Sequence, residues 1–557
     1  MNIRKSIYII IIIGFCLYFY SLFGKFLWDD EEQIVNNSDI HSISNIPKFF
    51  FGSTFNTGGA GTLAGIYYKP LLITLFSVIY SIFGNNSFFF HIFQLSLHII
   101  NSICIFLVFN YFFNKIIIKE IKYLKRFGIW ISFFGAILFL VHPINVESVV
   151  YISASQEVLF FTFGIMSFMF LILNKENIKV FNVEFNSYLL SGIFVLFAFL
   201  SKETGILFFI INIMYIFVFQ KDRFKKFIYY FISTLSIYII LRFFIARIGL
   251  RGKGITPIMQ LSFFERLINI PKVIFFYFKT FFYPRYLLIS QNWIVEKINM
   301  KDFYIPFIII ITIFSILIYM IFYFYRNKLF NKCFRKLYTF FLIWFIVGIG
   351  LHIQIIPLDM TVADRWFYFP IVGLIFILIL ITSFLIYKFR NVIKNIEIIS
   401  FIIITFLLTI FSCRTLLRTF DWSNGLTLYQ NDIKYNKNAY DLENNYGVEL
   451  IRKNKVEDAK FHFEKSTKLK SDWWVNWNNL GVCYEREDDY EKALEYYKKS
   501  MQNADYYLAY ENYTGLLINL KRNEEAKKFL EEEALVKFPY NNNLSNMYLF
   551  LDKNDTN

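Results

Sequence analysis

The chain has 557 residues, a length that usually predicts several soluble domains, but 56% of its residues are apolar and its mean hydropathy is +0.46. Charged residues account for only 18%, against roughly 25% in an average soluble protein. These values exclude the soluble, collagen-like, disulfide-scaffold and disordered classes and predict an integral membrane protein. The net charge of +15 has two explanations, nucleic-acid binding or cytoplasmic loops of a membrane protein, and the positions of the cations distinguish them.

Uncharged apolar runs close to the ~20 residues needed for a membrane span predict about eleven transmembrane helices. The first run is expected to be a retained span rather than a cleaved signal, and the fifth and sixth are short enough to form a tight membrane hairpin around SKET. Two shorter runs, near 70–83 and 272–283, are expected to lie in the interface or to re-enter it. The predicted spans lie near residues 6–23, 88–113, 127–141, 150–173, 187–200, 205–219, 226–246, 303–324, 337–356, 367–387 and 397–415.

The basic residues indicate the orientation of these spans. With a cytoplasmic N-terminus, the predicted inner segments hold about 21 of the 57 Lys and Arg residues, whereas the short outer loops hold only Lys202 and Arg365. The long loops and the C-terminal region are therefore predicted on the external face, outside a bacterial plasma membrane, which the composition favours, or in the endoplasmic reticulum lumen. The surplus charge is then an orientation signal, and no nucleic-acid partner is predicted.

A repeat of about 34 residues is visible in the polar region after about residue 420. Its clearest copy, WNNLGVCYEREDDYEKALEYYKKS, matches the tetratricopeptide pattern of Trp, Leu-Gly and Tyr followed by Ala and an aromatic residue. One period earlier lie Gly447, Ala459 and Phe463, and one period later lies Gly515, with Ala526 one residue early. Small residues at these positions let paired helices touch, and aromatic residues fill the space to the next pair.

The whole chain is therefore predicted to be all-α, a polytopic membrane helical bundle followed by an α-solenoid. We predict a membrane domain over residues 1–419, a linker or docking helix over 420–439, and about three tetratricopeptide repeats with a tail over 440–557. Such a solenoid offers a surface for an extended peptide or a protein partner. A purely structural or assembly role is the alternative.

An acidic cluster opens the first predicted outer loop, in FLWDDEEQIVNN directly after the first span. It places Asp29, Asp30, Glu31 and Glu32 at the water interface, with Trp28 as an interfacial anchor. A carboxylate there could act as a general base toward a hydroxyl acceptor or help to bind a divalent cation. It could equally be a solvated boundary. No Cys/His spacing typical of a metal site occurs, so the sequence identifies no metal ligand and no certain cofactor.

Ionisable residues recur on the same predicted face. Lys69 starts the interfacial helix, where its ammonium could meet a lipid phosphate or simply snorkel. The planar guanidinium of Arg365 suits phosphate oxygens, although it could also snorkel beside Asp364. Glu157 is predicted at membrane depth, where an ionisable residue is costly and is functional by default. The other candidates in these loops are His142, Glu147, Lys202 and Glu203.

The chain resembles the tetratricopeptide-bearing multispanning glycosyltransferases of the GT-C superfamily, and is similar to the transmembrane O-mannosyltransferases that act on cadherin-type domains. The motifs that carry this resemblance lie in the family's order along nearly the whole chain. They are WDDEEQIVNN, YYKPLLITLFSVIYSIFG, HIFQLSLHIINSICIFLVF, LVHPINVESVVYISASQE, LSKETGILF, ADRWFYFPIVGL and the repeats.

The resemblance implies a GT-C-like membrane domain, a polyprenyl-phosphate-linked monosaccharide donor, a protein or glycan acceptor on the external side, and inversion at the anomeric carbon. It implies Asp29 or Asp30 as the catalytic base, and Lys69, Lys202 and Arg365 as phosphate contacts. A base opposite a lipid-phosphate leaving group favours single-step inversion, and that leaving group needs cationic stabilisation more than protonation.

Two other functions stay open from the sequence. A polymerase or ligase of surface polysaccharide can also combine many spans with repeats, and the loop with Arg247, Arg251 and Lys253 supplies basic residues for it. The other alternative is a non-enzymatic membrane scaffold. A transporter is disfavoured because the spans show no internal symmetry.

Overall fold

A computed structural model describes residues 2–54, 67–114, 123, 125, 127–173, 177–180, 183–249, 254, 256–326, 332–539 and 541–555. The glycine-rich part of the first loop and the residues Arg251 and Lys253 lie outside this part of the chain. The chain divides into two compact units. The first unit contains Met1–Phe26, Ile40–Thr54 and Ile66–Ser423, and the second contains Leu27–Asp39 and Asn424–Asn557.

In the described residues of the first unit, the regular structure is helical apart from one antiparallel hairpin, β1 (Asn177–Val180) and β2 (Val183–Asn186). Several of its helices continue through a 3-10 or π turn. Its α-helices are α1 Ile3–Tyr18, α2 Pro70–Phe83, α3 Ser87–Phe112, α4 Gly128–Val141, α5 Val146–Val150, α6 Ser155–Ile172, α7 Ser187–Ser201, α8 Ile206–Phe219, α9 Phe224–Ile239, α10 Pro257–Gln260, α11 Phe263–Phe282, α12 Ile305–Arg326, α13 Lys332–Gly350, α14 Pro370–Phe389 and α15 Ile396–Asp421.

Each of the eleven predicted runs contains helix, but the helices differ in length, and the run predicted over 337–356 is helical only to Gly350. Among the described residues, seven helical segments are long and apolar enough to cross a membrane, or eight if the bent pair Gly128–Val141 and Pro143–Val150 counts as one span. Helices α2, α7 and α8 are shorter apolar helices. The chain is therefore a multi-pass membrane protein. Its orientation stays a prediction.

Aromatic residues and close helix contacts hold the first unit together. Phe341 stacks on Phe376 with ring centroids 3.8 Å apart, joining α13 to α14. Gly164 lets α6 approach α8, because a Cβ atom built there would lie 1.9 Å from the ring of Phe208. Interiors packed this closely tolerate little added volume, so these contacts fix how the helices cross.

The second unit is a run of paired helices, as the 34-residue period predicts. Its last helices are interrupted by a π turn at Leu530–Ala534. The α-helices are α16 Gly425–Ile433, α17 Tyr440–Arg452, α18 Val456–Leu469, α19 Trp474–Arg486, α20 Tyr490–Asn503, α21 Tyr507–Asn519, α22 Asn523–Phe529, α23 Leu535–Lys537 and α24 Asn542–Asp555.

The glycines of the repeat pattern let paired helices pack closely, as their small size predicts. A Cβ atom at Gly447 would lie 2.7 Å from the Phe463 ring, and one at Gly481 would lie 2.6 Å from the Tyr497 ring. Each glycine therefore seats the aromatic residue of the helix paired with its own. The tetratricopeptide architecture is confirmed.

Side-chain amides form a continuous chain across three repeats. The asparagines lie on α17, α19 and α21, the first helices of consecutive pairs, so the chain follows the period of the solenoid. The hydrogen bonds run from Asn512 Nδ2 to Asn478 Oδ1 (3.0 Å), from Asn478 Nδ2 to Asn479 Oδ1 (3.2 Å), from Asn479 Nδ2 to Asn444 Oδ1 (2.9 Å) and from Asn444 Nδ2 to Asn445 Oδ1 (3.3 Å).

The glycine contacts predict a difference between two identical substitutions. Gly481→Ala should destabilise the second unit by about 1–3 kcal/mol, because the added methyl group overlaps the Tyr497 ring. Gly515→Ala, where the nearest atom is 3.7 Å away on Met547, should be neutral or stabilise by up to about 1 kcal/mol through helix propensity. Thermal unfolding of the two purified variants measures this, and equal midpoints would contradict the packing argument.

Candidate functional site

The predicted ionisable residues of the first unit lie at the ends of its helices. Glu147 is in the first turn of α5, and Glu157 is in the first turn of α6. Lys202 and Glu203 join α7 to the turn before α8, and Lys69 immediately precedes α2. The charged groups therefore lie next to apolar helices. Burying a charge costs free energy unless the charge is paired, so the partner of each group decides whether it is stable there.

Glu157 and Lys202 form a buried ion pair between α6 and the end of α7. The Lys202 ammonium donates a hydrogen bond to Glu157 Oε1, and the two side chains are only 11% and 3% exposed. The ammonium also lies 5.9 Å from the centre of the Phe160 ring. The carboxylate predicted at membrane depth thus neutralises Lys202.

Glu147 and Arg365 form a second buried pair. The guanidinium of Arg365 donates to Glu147 Oε1, and the backbone N–H of Arg365 donates to Glu147 Oε2 at 3.0 Å. Because one carboxylate holds both the side chain and the backbone, it fixes the short 3-10 turn Asp364–Phe367. Burial opposes the charge of Arg365, but nearby Glu147 and Asp359 raise the pKa of the guanidinium above its ordinary value.

Glu203 makes two contacts of its own. Its Oε1 atom lies 3.1 Å from Arg242 Nη1 and accepts a hydrogen bond from the backbone N–H of Tyr68, also at 3.1 Å. The second contact ties the residue directly before Lys69 to the turn after α7. Sequence reasoning missed Arg242, because it lies within an apolar run and only the fold brings it to Glu203.

Lys69 differs from the other buried cations. It is 8% exposed, and its ammonium lies 4.2 Å from the centre of the Tyr67 ring. Among the described residues, no carboxylate lies within ion-pairing distance of its Nζ atom. Burial lowers the pKa of Lys69, although Glu203 acts in the opposite direction.

Electrostatic influence joins these groups into one cluster. Glu203, Lys202, Asp359 and Glu157 all act on Lys69. Asp359 accepts a hydrogen bond of 3.0 Å from the hydroxyl of Tyr67, the ring beneath the Lys69 ammonium. The structure therefore brings together most of the predicted site residues of the first unit, with Lys69 as the cation not neutralised by a direct pair.

His142 has a different environment from the other predicted residues. Its Nε2 atom bonds the Phe281 carbonyl at 3.0 Å, and its Nδ1 atom accepts from the backbone N–H of Ile144 at 3.2 Å. The ring also stacks on Phe281. With both nitrogens engaged, His142 holds the break between α4 and α5.

Buried polar side chains support the loops of the site. Gln94 on α3 donates to the carbonyls of Ser148 and Tyr151, both at 2.7 Å, which fixes the segment that carries Glu147. The hydroxyl of Tyr368 bonds His98 Nδ1 at 2.8 Å, just after the turn that carries Arg365. Sequence reasoning missed Gln94 and His98, since polar residues within an apolar run show no partner from sequence alone.

The acidic segment of the first loop belongs to the second unit. Its backbone turns sharply at Trp28, whose φ of 52° is left-handed and costs a bulky residue about 1–2 kcal/mol. Asp30 is 1% exposed, and its Oδ2 atom accepts from the Leu27 N–H at 3.0 Å across this turn. Asp29, in contrast, is half-buried.

Glu32 adds a carboxylate that the sequence did not distinguish from its neighbours. Asn36 donates to its Oε1 atom at 3.2 Å, while its Oε2 atom is buried without a hydrogen-bond partner in the described structure. Burial, with smaller contributions from Glu31 and Asp29, raises the pKa of Glu32.

The described residues contain no group of three or more His, Cys, Asp or Glu side chains placed to hold a metal ion. A divalent cation was an open expectation for the acidic segment. That expectation stays a prediction.

These two units define the class of the protein: a multi-pass helical membrane protein that carries tetratricopeptide repeats. The family profile described as tetratricopeptide repeat matches residues 476–504. Over most of its length, the chain is homologous, at low identity, to protein O-mannosyl-transferases. The resemblance expected from the motifs is thereby confirmed.

Three relatives illustrate this homology. The chain is 23% identical over 535 residues to protein O-mannosyl-transferase TMTC3 of Mus musculus, covering 87% of this chain and 53% of the relative. It is 23% identical to a protein O-mannosyl-transferase of Caenorhabditis elegans, covering 84% and 63%. It is 30% identical over 150 residues to protein O-mannosyl-transferase TMTC1 of Homo sapiens, covering 27% and 16%. The chain thus spans only about half to two thirds of the relatives that it matches over most of its own length.

Proposed function

We propose that the chain is a membrane glycosyltransferase that moves a monosaccharide from a polyprenyl-phosphate donor to a hydroxyl group of a protein acceptor on the external face. The names of its relatives, protein O-mannosyl-transferases, support transfer of a sugar to protein. The observation that carries the donor assignment is Lys69, a buried ammonium beside three buried cations that are each paired with a carboxylate.

Lys69 is assigned to the donor phosphate. A departing lipid phosphate gains negative charge as the bond to the sugar breaks, and a preorganised cation in a water-poor environment stabilises that charge. Lys202, Arg242 and Arg365 are already neutralised by Glu157, Glu203 and Glu147. They hold the loops around Lys69 and keep the local net charge low, so Lys69 is the cation left to balance the phosphate.

Asp29 is assigned as the general base, and Asp30 as the residue that holds its turn. In the proposed step, Asp29 takes the proton of the acceptor hydroxyl, the acceptor oxygen bonds the anomeric carbon, and the bond from that carbon to the phosphate oxygen breaks. The phosphate leaves with the electron pair, so one displacement inverts the anomeric carbon. Asp30 is less suited to this role because its carboxylate is buried and accepts from Leu27.

The repeats are assigned to the protein acceptor. Each asparagine in this row of linked amides uses only part of its hydrogen-bonding capacity in the bonds to the other asparagines. Asn445, Asn479 and Asn512 are half-buried, and their remaining N–H groups and lone pairs match the alternating C=O and N–H groups of an extended peptide. Binding of protein segments is also the common use of such solenoids.

The test is sugar transfer by the purified chain in detergent or vesicles, with polyprenyl-phosphate mannose as donor and folded protein domains as acceptors. Asp29→Asn should lower kcat by about 10²–10⁴-fold, as loss of a general base does. Asp39→Asn, in the same segment, is the matched control and should keep wild-type turnover.

Asp30→Asn should act mainly through the stability of the turn, and its thermal midpoint should fall together with its activity. Undiminished turnover in the Asp29→Asn, Asp30→Asn double variant would remove the proposed base. Transfer from a nucleotide sugar, with none from the lipid-linked sugar, would remove the proposed donor.

A further inference from the structure

The acidic segment Leu27–Asp39 makes a specific contact with the repeats inside the second unit. Glu31 lies in the π turn Glu31–Val35, and its Oε2 atom accepts a hydrogen bond from Arg452 Nη2. Arg452 is the last residue of α17, in the first repeat. This hydrogen bond joins residues that are 421 positions apart along the chain. Glu31 lies only two residues after Asp29.

Arg452 is itself held in place for this contact. Its Nη1 atom donates to Glu449 Oε1 at 2.7 Å, one helical turn earlier, while its Nη2 atom reaches Glu31. Although burial opposes the charge, Glu31 and Glu449 raise the pKa of Arg452. The charged guanidinium bridges one carboxylate of the repeat and one of the acidic segment.

Other residues of the second unit lie within electrostatic range of the same segment. Burial, together with the charges of Glu449, Asp29 and Asp30, raises the pKa of Tyr429 on α16 well above its ordinary value. Burial, with a smaller contribution from Glu32, raises the pKa of Tyr507 at the start of α21. The acidic segment therefore lies near several helices of the second unit, and Arg452 forms a direct ion pair with it.

We propose that Arg452 is a positioning residue for the candidate base: by holding Glu31, it fixes the turn that carries Asp29 on the repeat unit. The proposal rests on the function proposed above, and it gives the repeats a second role besides binding an acceptor. The solenoid carries the base. The proton of an acceptor hydroxyl is then taken by a group whose orientation the first repeat determines.

The chain offers a matched control for this role. Arg486 occupies the same place in the next repeat, as the last residue of α19, and its Nη1 atom lies 3.4 Å from the Ile451 carbonyl. Arg452→Gln and Arg486→Gln therefore make the same chemical change at equivalent helix ends. Glu31→Gln removes the ion pair from its other side and keeps the test valid if Arg452→Gln fails to fold.

Hydrogen–deuterium exchange of the full-length protein measures the docking without requiring any activity. Residues 27–39 should exchange faster in Arg452→Gln and Glu31→Gln than in wild type, and at the wild-type rate in Arg486→Gln. Unchanged exchange of this segment in both Arg452→Gln and Glu31→Gln would overturn the proposal. Absence of transfer by the wild type, in contrast, would count against the proposed function and leave the exchange result to decide whether Arg452 holds the turn.

A sugar-transfer assay tests whether Arg452 positions the base. A half-exposed ion pair makes only a small contribution, so Arg452→Gln should lower kcat by about three- to tenfold while the KM for the lipid-linked sugar stays unchanged. The reversed pair, Glu31→Arg with Arg452→Glu, should recover part of the loss. A wild-type kcat in Arg452→Gln, or an equal loss in Arg486→Gln, would show that Arg452 does not position the base.

Discussion

Lys69→Met should abolish most sugar transfer while leaving the protein as stable as the wild type, or more stable. Loss of one preorganised charge that faces a developing anion costs about 10²–10³-fold in kcat. The same ammonium is a burden on the free protein, because it is buried without a direct carboxylate partner among the described residues. Removing an uncompensated buried charge should therefore stabilise the fold by about 1–3 kcal/mol.

The matched control is Lys48→Met, which changes an exposed lysine of the same loop region. It should leave both transfer and the thermal midpoint at wild-type values. Measuring both quantities for both variants separates a functional cation from a structural one. A large fall in the Lys69→Met midpoint would identify Lys69 as a structural residue and would contradict its assignment to the donor.

The lowered pKa of Lys69 also predicts the direction of two pH effects. The charged form binds phosphate, so kcat/KM for the lipid-linked sugar should fall as the pH rises through this lowered pKa. Stability should change in the opposite sense. Between the lowered pKa and the ordinary lysine value, the unfolded chain binds more protons than the folded chain, so the free energy of unfolding rises with pH. Lys69→Met should remove both effects.

Much of the fold was predictable because its signals are periodic or compositional. Each predicted apolar run contains helix, and the 34-residue period located Gly447 and Gly481 at the contacts where they seat aromatic rings. The number of full-length spans was less predictable. Hydropathy identifies apolar segments, but the lengths of α7 and α8 and the bend after Val141 depend on caps and tertiary contacts.

The candidate site was predictable as a set of residue types but not as a set of pairs. The sequence indicated Glu147 and Arg365 without showing that each neutralises the other. It also indicated Asp29 without showing that the segment that carries it packs with the repeats. Contacts between residues hundreds of positions apart leave no local pattern, so the sequence could not separate the paired cations from Lys69.

The second large effect concerns Arg365, whose contacts indicate a structural clamp. Arg365→Gln would leave the Glu147 carboxylate, 4% exposed, without its counter-charge. Breaking a buried ion pair from one side typically costs about 3–5 kcal/mol. The thermal midpoint of the purified protein should therefore fall steeply, and transfer should be lost with the fold. Arg285→Gln, at an exposed arginine of the same unit, should change neither.

The double variant Glu147→Gln with Arg365→Gln distinguishes the clamp from a direct phosphate contact. Replacing both partners removes the buried charges together, so most of the stability should return. The Glu147→Gln substitution keeps a side-chain carbonyl oxygen that can accept from the backbone N–H of residue 365, the hydrogen bond now made to the Glu147 carboxylate. If Arg365 acts only as a clamp, transfer should return with stability. A stable but inactive double variant would instead place the guanidinium on the donor phosphate, and Lys69 would then share that role.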